Sequence, residues 1–144
     1  SDPGPNDALI ETKAMGLNYI DTYHRSGSYP LPLPSGIGLE ASGIIKKIGS
    51  KVKNLSIGDK VAYGGLPIGA YAEERIYSVD KLVKLPEEIS LEIAACIMTK
   101  GLTTYYLLYK KHFSADYFPL VNGLFYSAML GKLLMKVIRE AVRN

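Results

Sequence analysis

The sequence predicts a mainly β fold followed by helices, and two observations support this. From residue 7 to about residue 88, short apolar runs are separated by glycine, proline, asparagine and aspartate, which is typical of strands joined by tight turns. Beyond residue 88 the apolar residues recur with a helical period. We therefore expect a β-rich unit over residues 1–88 and a helical unit over residues 89–144, long enough together to bury one core.

Two strands of the β-rich unit are marked by their own residues. The pair Gly58-Asp59 is typical of a turn and leads into a strand from Lys60 to Tyr63. The run EASGIIKKIGSKV, which begins at Glu40, does not alternate cleanly between apolar and polar residues. We expect that this strand bends or that it is covered on both faces.

Three helical pieces are predicted in the second unit. Ser90 is a candidate N-cap for the run LEIAACIM, and the second piece, LTTYYLLYKKH, follows a break at Gly101. The third and longest helix runs from about Gly123 to Val142. Its apolar stripe consists of Leu124, Leu130, Leu133, Leu134, Val137 and Ile138. Its basic row consists of Lys132, Lys136, Arg139 and Arg143.

Charge and composition exclude several classes of function. The net charge of +3 comes from basic residues mixed with acids over most of the chain, which argues against a dedicated nucleic-acid surface. The lone Cys96 excludes an internal disulfide framework and fits a reducing compartment. The stretch SDPGPNDALIE has no secretory-signal pattern, and no apolar run reaches the roughly 18 residues of a membrane span. We expect a soluble cytoplasmic protein.

Four motifs stand in an order that is typical of a known family. They are GLNYIDTYHRSGSYP, LPSGIGLEASGIIKKIGSKV, IGDKVAYGGLPIGAYAEE and VKLPEEISLEIAACIMTKGLTTYYLL. Together they resemble the catalytic, GroES-like domain of the zinc-independent quinone oxidoreductases of the medium-chain dehydrogenase/reductase superfamily, from about residue 3 to about residue 110. The resemblance implies a partly open β-barrel of GroES-like type and hydride transfer from NADPH to a quinone or enone.

Glycines are expected to supply the turns and bulges of such a barrel, because glycine adopts backbone conformations that other residues avoid. The glycines concerned are Gly36, Gly38, Gly43, Gly49, Gly58, Gly64 and Gly65.

The resemblance also implies that the protein binds no metal. In the zinc-dependent alcohol dehydrogenase branch, a cysteine ligand stands at the position matching Asn18 and a histidine at the position matching Leu39. An amide and an alkyl side chain cannot replace these ligands. The remaining candidates, His24, His112 and Cys96, have spacings that match no zinc motif. We expect purified protein to contain no stoichiometric zinc.

The resemblance assigns a catalytic role to Asn18 and Tyr23, as hydrogen-bond donors to the substrate carbonyl oxygen. The residues that it assigns to cofactor binding are Asn18, Tyr23, Tyr29, Lys100, Thr103 and Tyr106. Structural alternatives remain open for all of them, namely an Asx turn at Asn18, locally satisfied tyrosine rings, and an ordinary packed helix around Lys100.

Three neighbouring polar residues are expected to have structural roles. Asp21 is a turn or helix-start residue. His24 has no aspartate or serine partner at triad spacing, so we expect a solvated histidine. Glu40 is predicted to be a carboxylate that holds nearby backbone amides.

The sequence departs from the family pattern after about residue 110. Family members continue into a strand, a glycine-rich turn and a helix that binds the cofactor pyrophosphate. This sequence continues as HFSADYFPLVNGLFYSAMLGKLLMKVIREAVRN and contains no G-x-G-x-x-G. We expect that the nucleotide-binding domain is absent, that the isolated chain binds NADPH weakly and that its quinone turnover is negligible.

Two classes of function stay open at this point. One is the catalytic part of an NADPH-dependent oxidoreductase that is completed by a separate nucleotide-binding polypeptide. The other is a non-catalytic GroES-like module for binding or oligomerisation, or the product of a decaying gene.

The third helix is expected to cover apolar surface. Each large side chain of its stripe forgoes roughly 1.5–3 kcal/mol if it stays in water. We expect this helix, together with HFSADYFPLV, to pack on the surface around MTKGLTTYYLL, either within one chain or in a homodimer. A helix lying on a membrane surface is the rival interpretation, suggested by the basic row.

Overall fold

The computed structural model describes residues 1–106. Its elements in chain order are strand β1 (Asp7–Gly16), helix α1 (Tyr19–Ser26), strands β2 (Glu40–Ile48), β3 (Lys60–Gly64) and β4 (Glu74–Ser78), a 3-10 turn (Val79–Lys81), strand β5 (Val83–Lys84) and helix α2 (Leu91–Tyr105). The predicted mainly β fold with helices is confirmed. The strand expected from Lys60 to Tyr63 is β3, which extends one residue further.

The described strands form one open antiparallel sheet in the order β4-β1-β2-β3-β5. β1 and β2 pair from Ala8 opposite Ile48 to Gly16 opposite Glu40, with two register shifts between them. The first four residues of β2 are all buried, so this strand is covered on both faces at its start, as one of the two alternatives predicted. The pairing of Gly16 with Glu40 places the end of β1 beside the beginning of β2.

Two groups of buried side chains lie against the sheet. The first fills one side with residues from all of the longer strands, among them Ile10, Ile45, Tyr63 and Tyr77. The second joins Ala62 and Val83 of the sheet to Ala94 and Met98 of α2. Helix α2 therefore packs on the sheet, and this packing fixes the position of its C-terminal half relative to β1 and β2.

Helix α2 begins as predicted and ends later than predicted. The Ser90 hydroxyl oxygen accepts the Ile93 N–H at 3.2 Å, which confirms Ser90 as the N-cap. The predicted break at Gly101 is wrong, because α2 continues through this residue to Tyr105. Gly101 is buried, and the packing of Met98 and Leu102 around it outweighs the roughly 1 kcal/mol that glycine costs inside a helix.

The helix predicted from Gly123 to Val142 lies outside the described residues. Its packing on the surface around α2, and with it the division of the chain at residue 88, stay predictions. Neither helix described in residues 1–106 combines the length and the apolar character that a bilayer crossing requires.

Candidate functional site

A polar cluster lies where β1, β2 and α2 meet. Asn18 follows β1, Glu40 opens β2 and Lys100 lies on α2. The Asn18 side-chain amide, Nδ2, donates to Glu40 Oε2 at 2.6 Å, and Lys100 Nζ donates to Asn18 Oδ1 at 3.2 Å. Lys100 Nζ also lies 3.9 Å from Glu40 Oε2. The fold thus brings together three side chains that are far apart in the sequence, and two of them are among the predicted site residues.

Glu40 is the buried anchor of this cluster. Its side chain is fully shielded from solvent, and both carboxylate oxygens accept hydrogen bonds. Oε2 accepts from Asn18, while Oε1 accepts the backbone N–H of Thr99 at 2.9 Å. A buried charge is tolerated when hydrogen bonds and an opposite charge compensate it, and Lys100 supplies that charge. The predicted role of Glu40, a carboxylate that holds backbone amide, is confirmed.

Gly16 permits the close approach of α2 to the cluster. A Cβ atom at this position would lie 2.0 Å from the Ala95 carbonyl oxygen and 2.7 Å from Glu40 Oε2. Both distances are shorter than any relaxed contact, and the first involves backbone. Only glycine allows β1, α2 and the Glu40 carboxylate to meet at this point.

Asn18 is the N-cap of helix α1, and Asp21 holds this end of the helix. Asp21 is buried, and its Oδ2 accepts the Asn18 backbone N–H at 2.9 Å. The same oxygen accepts the Tyr71 hydroxyl at 2.9 Å. The helix-start role predicted for Asp21 is therefore confirmed. Tyr71, 50 residues later in the sequence, helps to hold the Asp21 carboxylate in place.

Exposed tyrosine rings line α1 and the turn after it. The Tyr23 ring centroid lies 5.8 Å from that of Tyr19 and 5.2 Å from that of Tyr29. Tyr23 is 39% exposed and Tyr29 51% exposed. His24, predicted to be solvated, is half-buried with its ring 6.2 Å from Tyr29. Tyr23, on the helix that Asn18 caps, thus contacts the ring of Tyr29 in the turn that follows this helix.

The remaining predicted residues lie beyond Lys100, Thr103 on α2 and Tyr106 at its end. Thr103 is exposed, and its hydroxyl donates to the Thr99 carbonyl oxygen at 2.8 Å, so its proton is used within the helix while its oxygen can still accept. Tyr106 directly follows α2 and is 48% exposed. The structure therefore joins Asn18 and Lys100 directly and leaves Thr103 and Tyr106 further along the same helix.

Comparison with known proteins places this arrangement in a family. Residues 4–87 match the model of the alcohol dehydrogenase GroES-like domain. The chain belongs to this family. A quinone oxidoreductase of Pseudomonas aeruginosa is 50% identical over 109 residues, which cover 75% of this chain and 34% of that protein. Quinone oxidoreductase 1 of Escherichia coli is 50% identical over 113 residues, which cover 78% and 35%.

A solved structure resembles this GroES-like domain over the same part of the chain. The crystal structure of Escherichia coli quinone oxidoreductase complexed with NADPH superimposes with a TM-score of 0.74 at 51% identity, covering 77% of this chain and 34% of that one. The predicted resemblance to the GroES-like domain of quinone oxidoreductases in the medium-chain dehydrogenase/reductase superfamily is confirmed. The chain spans about a third of the length of the curated relatives it matches, at 34% and 35%.

The donor set of this GroES-like domain is poor in metal ligands. No three His, Cys, Asp or Glu side chains of residues 1–106 lie close enough together to hold a metal ion. The Asn18 side-chain amide is hydrogen-bonded to Glu40 and Lys100. Leu39 is an apolar side chain that is 8% exposed. Neither is a usual zinc ligand. The zinc-free state of the purified protein stays a prediction.

Sequence reasoning missed two contributors to the site of this domain. Tyr71, in the motif GAYAEE, donates to Asp21 and lies over Gly38, where a Cβ would come within 2.4 Å of the Tyr71 ring. Gly38 has a positive φ of +95°, which suits glycine. Gly16 is the first residue of the motif GLNYIDTYHRSGSYP, and no role was predicted for it. The turn at Gly38 was predicted, but its contact with the Tyr71 ring could not be, because that ring lies 33 residues away in the sequence.

The contact between Tyr71 and Asp21 predicts a pH effect on stability. Burial, followed by the hydrogen bond to Asp21, raises the pKa of Tyr71 from 10 to about 12. Between these values the unfolded chain releases the phenol proton while the folded chain retains it, so the stabilisation is lost as pH rises. We expect the free energy of unfolding to fall more steeply between pH 10 and pH 12 in wild type than in Tyr71→Phe.

Urea unfolding at closely spaced pH values measures this difference. Tyr19→Phe is the matched control, because Tyr19 is 80% exposed. Parallel pH profiles of wild type and Tyr71→Phe, up to pH 12, would contradict the assignment.

Proposed function

We propose that this GroES-like domain supplies the catalytic wall of an NADPH-dependent oxidoreductase that transfers hydride to a quinone or enone. In this proposal Asn18 and Tyr23 donate hydrogen bonds to the substrate carbonyl oxygen. The observation that carries it is the carboxamide of the half-buried Asn18, held next to the Lys100 ammonium and at the start of the helix that bears Tyr23. The relatives named above are quinone oxidoreductases, one of them solved with NADPH.

The chemistry requires donors where negative charge develops. Reduced nicotinamide supplies the hydride when it is bound, and the substrate carbonyl oxygen gains charge as hydride arrives. Without a Lewis acid, oriented N–H and O–H groups are the usual means of stabilising that charge. Asn18 and Tyr23 have such groups, and the Lys100 ammonium adds positive potential 3.2 Å from the Asn18 carboxamide oxygen.

The described residues fit only the nicotinamide half of the cofactor. Tyr23, Tyr29 and Tyr106 offer exposed rings, and Asn18, Lys100 and Thr103 offer polar groups. The pyrophosphate half is normally bound by backbone amides at a helix N-terminus that follows a glycine-rich turn. The 144 residues contain no G-x-G-x-x-G, so we propose that a nucleotide-binding domain outside this segment binds this half.

The alternative function is a non-catalytic module for binding or oligomerisation, and one feature favours it. A cavity of about 460 Å³ opens between α2 and the edge of the sheet that carries β5. Its lining includes Leu66, Val83, Met98 and Leu102. An apolar surface of this kind suits a homodimer contact or the helix predicted from Gly123 to Val142.

Binding of a cofactor half distinguishes the two functions. We expect reduced nicotinamide mononucleotide, added to the full 144-residue chain, to shift the NMR resonances of Asn18, Tyr23 and Lys100. Asn18→Ala should weaken this binding by about tenfold, the effect of losing one hydrogen bond to a ligand. The exposed Asn54→Ala is the matched control.

Two outcomes would contradict the oxidoreductase. One is the absence of any shift around Asn18, and the other is an Asn18→Ala variant that binds as well as Asn54→Ala. In parallel, NADPH fluorescence should report weak binding by the chain alone and tighter binding once a nucleotide-binding domain is added. A low micromolar dissociation constant for the chain alone would show that no second polypeptide is needed.

A further inference from the structure

The Asn18 carboxamide has two neighbours of opposite hydrogen-bonding character. The Lys100 ammonium, which can only donate, lies 3.2 Å from Oδ1. The Glu40 carboxylate, which can only accept, lies 2.6 Å from Nδ2. Turning the carboxamide over would set nitrogen against the ammonium and oxygen against the carboxylate, so both hydrogen bonds would be lost. Both neighbours therefore select the same orientation.

This orientation leaves one donor free. A carboxamide nitrogen carries two protons, and the bond to Glu40 uses one of them. Asn18 is half-buried, and among residues 1–106 its side-chain nitrogen donates to Glu40, which leaves the second N–H for a ligand. We infer that Glu40 and Lys100 are positioning residues, which hold the Asn18 carboxamide so that its second N–H faces the carbonyl oxygen of a bound ligand. The identity of that ligand rests on the proposed function, whereas the orientation does not.

The positioning pair is itself held rigidly. Glu40 is fully buried, and its second oxygen is bound by the Thr99 backbone N–H of α2 at 2.9 Å. Its backbone is fixed between Gly16 and Gly64 in the sheet, and a rotation of the carboxylate would break the bond from Thr99. Lys100 Nζ also donates to the Leu17 carbonyl oxygen at 3.4 Å, next to Asn18 in the chain.

The charges of the pair also affect the strength of the free donor. An ammonium at the carboxamide oxygen draws electron density from the nitrogen, and hydrogen bonds arranged in a chain strengthen one another. The Lys100 ammonium thus makes the free N–H of Asn18 a better donor than it would be without that contact. Glu40 is fully buried and acts through Asn18, whereas Lys100 orients Asn18 in addition to the cofactor contact proposed above.

Hydrogen exchange of the Asn18 side chain tests the inference in the full chain. Nitrogen-15 NMR resolves the two protons of a side-chain amide and reports how fast each exchanges with solvent. We expect the proton that faces Glu40 to exchange at least about tenfold more slowly than the other, since a hydrogen bond in a half-buried site protects it. Glu40→Gln and Lys100→Met should each reduce this difference, and the double variant should abolish it.

Ligand binding supplies the second measurement. The double variant should bind reduced nicotinamide mononucleotide about tenfold more weakly, as expected for the loss of one oriented donor. Lys100→Arg keeps a cationic donor, so it should restore most of the binding lost in Lys100→Met. Glu87→Gln and Lys53→Met, at exposed positions, are the matched controls. If the Glu40 variants do not fold, the comparison of Lys100→Met with Lys100→Arg decides.

The outcomes separate this inference from the proposed function. Two side-chain protons that exchange equally in wild type would overturn the inference, and so would a Lys100→Met variant whose exchange and binding match those of Lys53→Met. Unequal exchange that depends on Lys100, without any binding of reduced nicotinamide mononucleotide, would support the positioning pair and reject only the proposed ligand.

Discussion

Replacing Gly16 with alanine is expected to destabilise the fold by roughly 3 kcal/mol, at the upper end of overpacking costs. The added methyl group would lie 2.0 Å from the Ala95 carbonyl oxygen, and backbone cannot move aside as a flexible side chain can. It would also lie 2.7 Å from Glu40 Oε2. Relief therefore requires α2 to move away from β1, which also weakens the bond between the Thr99 N–H and Glu40.

Gly27→Ala is the matched control for this prediction. Gly27 ends α1 with a φ of +78°, and nothing lies within 4 Å of the Cβ position. Its replacement costs only the strain of a left-handed residue, about 1 kcal/mol. Urea unfolding followed by circular dichroism compares the two variants. If Gly16→Ala unfolds at the same urea concentration as Gly27→Ala, the close approach at Gly16 does not limit stability.

Local signals account for the parts of the fold that the sequence predicts well. The turn at Gly58-Asp59, the strand that follows it and the N-cap at Ser90 each depend on residues within a few positions of one another. The family resemblance added the GroES-like architecture, which the match over residues 4–87 confirms. The predictions of the turn, the strand and the N-cap needed no information from distant parts of the sequence.

The wrong prediction of a helix break at Gly101 arose because a local signal was followed where long-range packing decides the structure. Glycine has a low helix propensity, so a local rule places a break there. Propensity is a weak preference, however, and Met98 and Leu102 on either side of Gly101 belong to a cluster packed on the sheet. The packing partners, Ala62 and Val83, lie far away in the sequence, so no pattern around Gly101 could reveal them.

The polar cluster shows the same limit at the candidate site. The resemblance named Asn18 and Lys100, but their contact spans 82 residues, and the contact of Asn18 with Glu40 spans 22. Tyr71 reaches Asp21 across 50 residues. Sequence patterns indicate which side chains carry useful chemistry, while the partners that orient them follow from β1, β2 and α2 meeting in three dimensions.

The second large loss of stability is expected from a change in the core, beneath the loop from Gly64 to Ala70. Tyr63 is fully buried, and its ring stacks on Tyr77 with centroids 4.4 Å apart. The Arg75 guanidinium lies over both rings, 5.2 Å from the centroid of Tyr63 and 4.6 Å from that of Tyr77. Arg75 also donates to carbonyl oxygens of the loop, as does the Tyr77 hydroxyl. The Tyr63 ring therefore supports the side chains that hold this loop.

This loop in turn supports the segment that leads to Glu40. The backbone N–H groups of Gly69 and Ala70 donate to the Gly38 carbonyl oxygen at 2.9 and 3.0 Å. Removing the Tyr63 ring beneath the loop should thus also shift the backbone at the start of β2. Tyr63→Ala should disturb the backbone resonances of Gly38 and Glu40 as well as the core.

We expect Tyr63→Ala to destabilise the protein by roughly 3–5 kcal/mol, the range for removing a buried aromatic ring. Tyr63→Phe is the sharper comparison, because the buried Tyr63 hydroxyl lies near the Arg75 guanidinium but makes no hydrogen bond of normal geometry within residues 1–106. Removing an unsatisfied hydroxyl while keeping the ring should change stability by less than about 1 kcal/mol, or should raise it. Thermal and urea unfolding of both variants measures this. A Tyr63→Phe variant as unstable as Tyr63→Ala would mean that the hydroxyl, rather than the ring stacked under Arg75, holds this part of the core together.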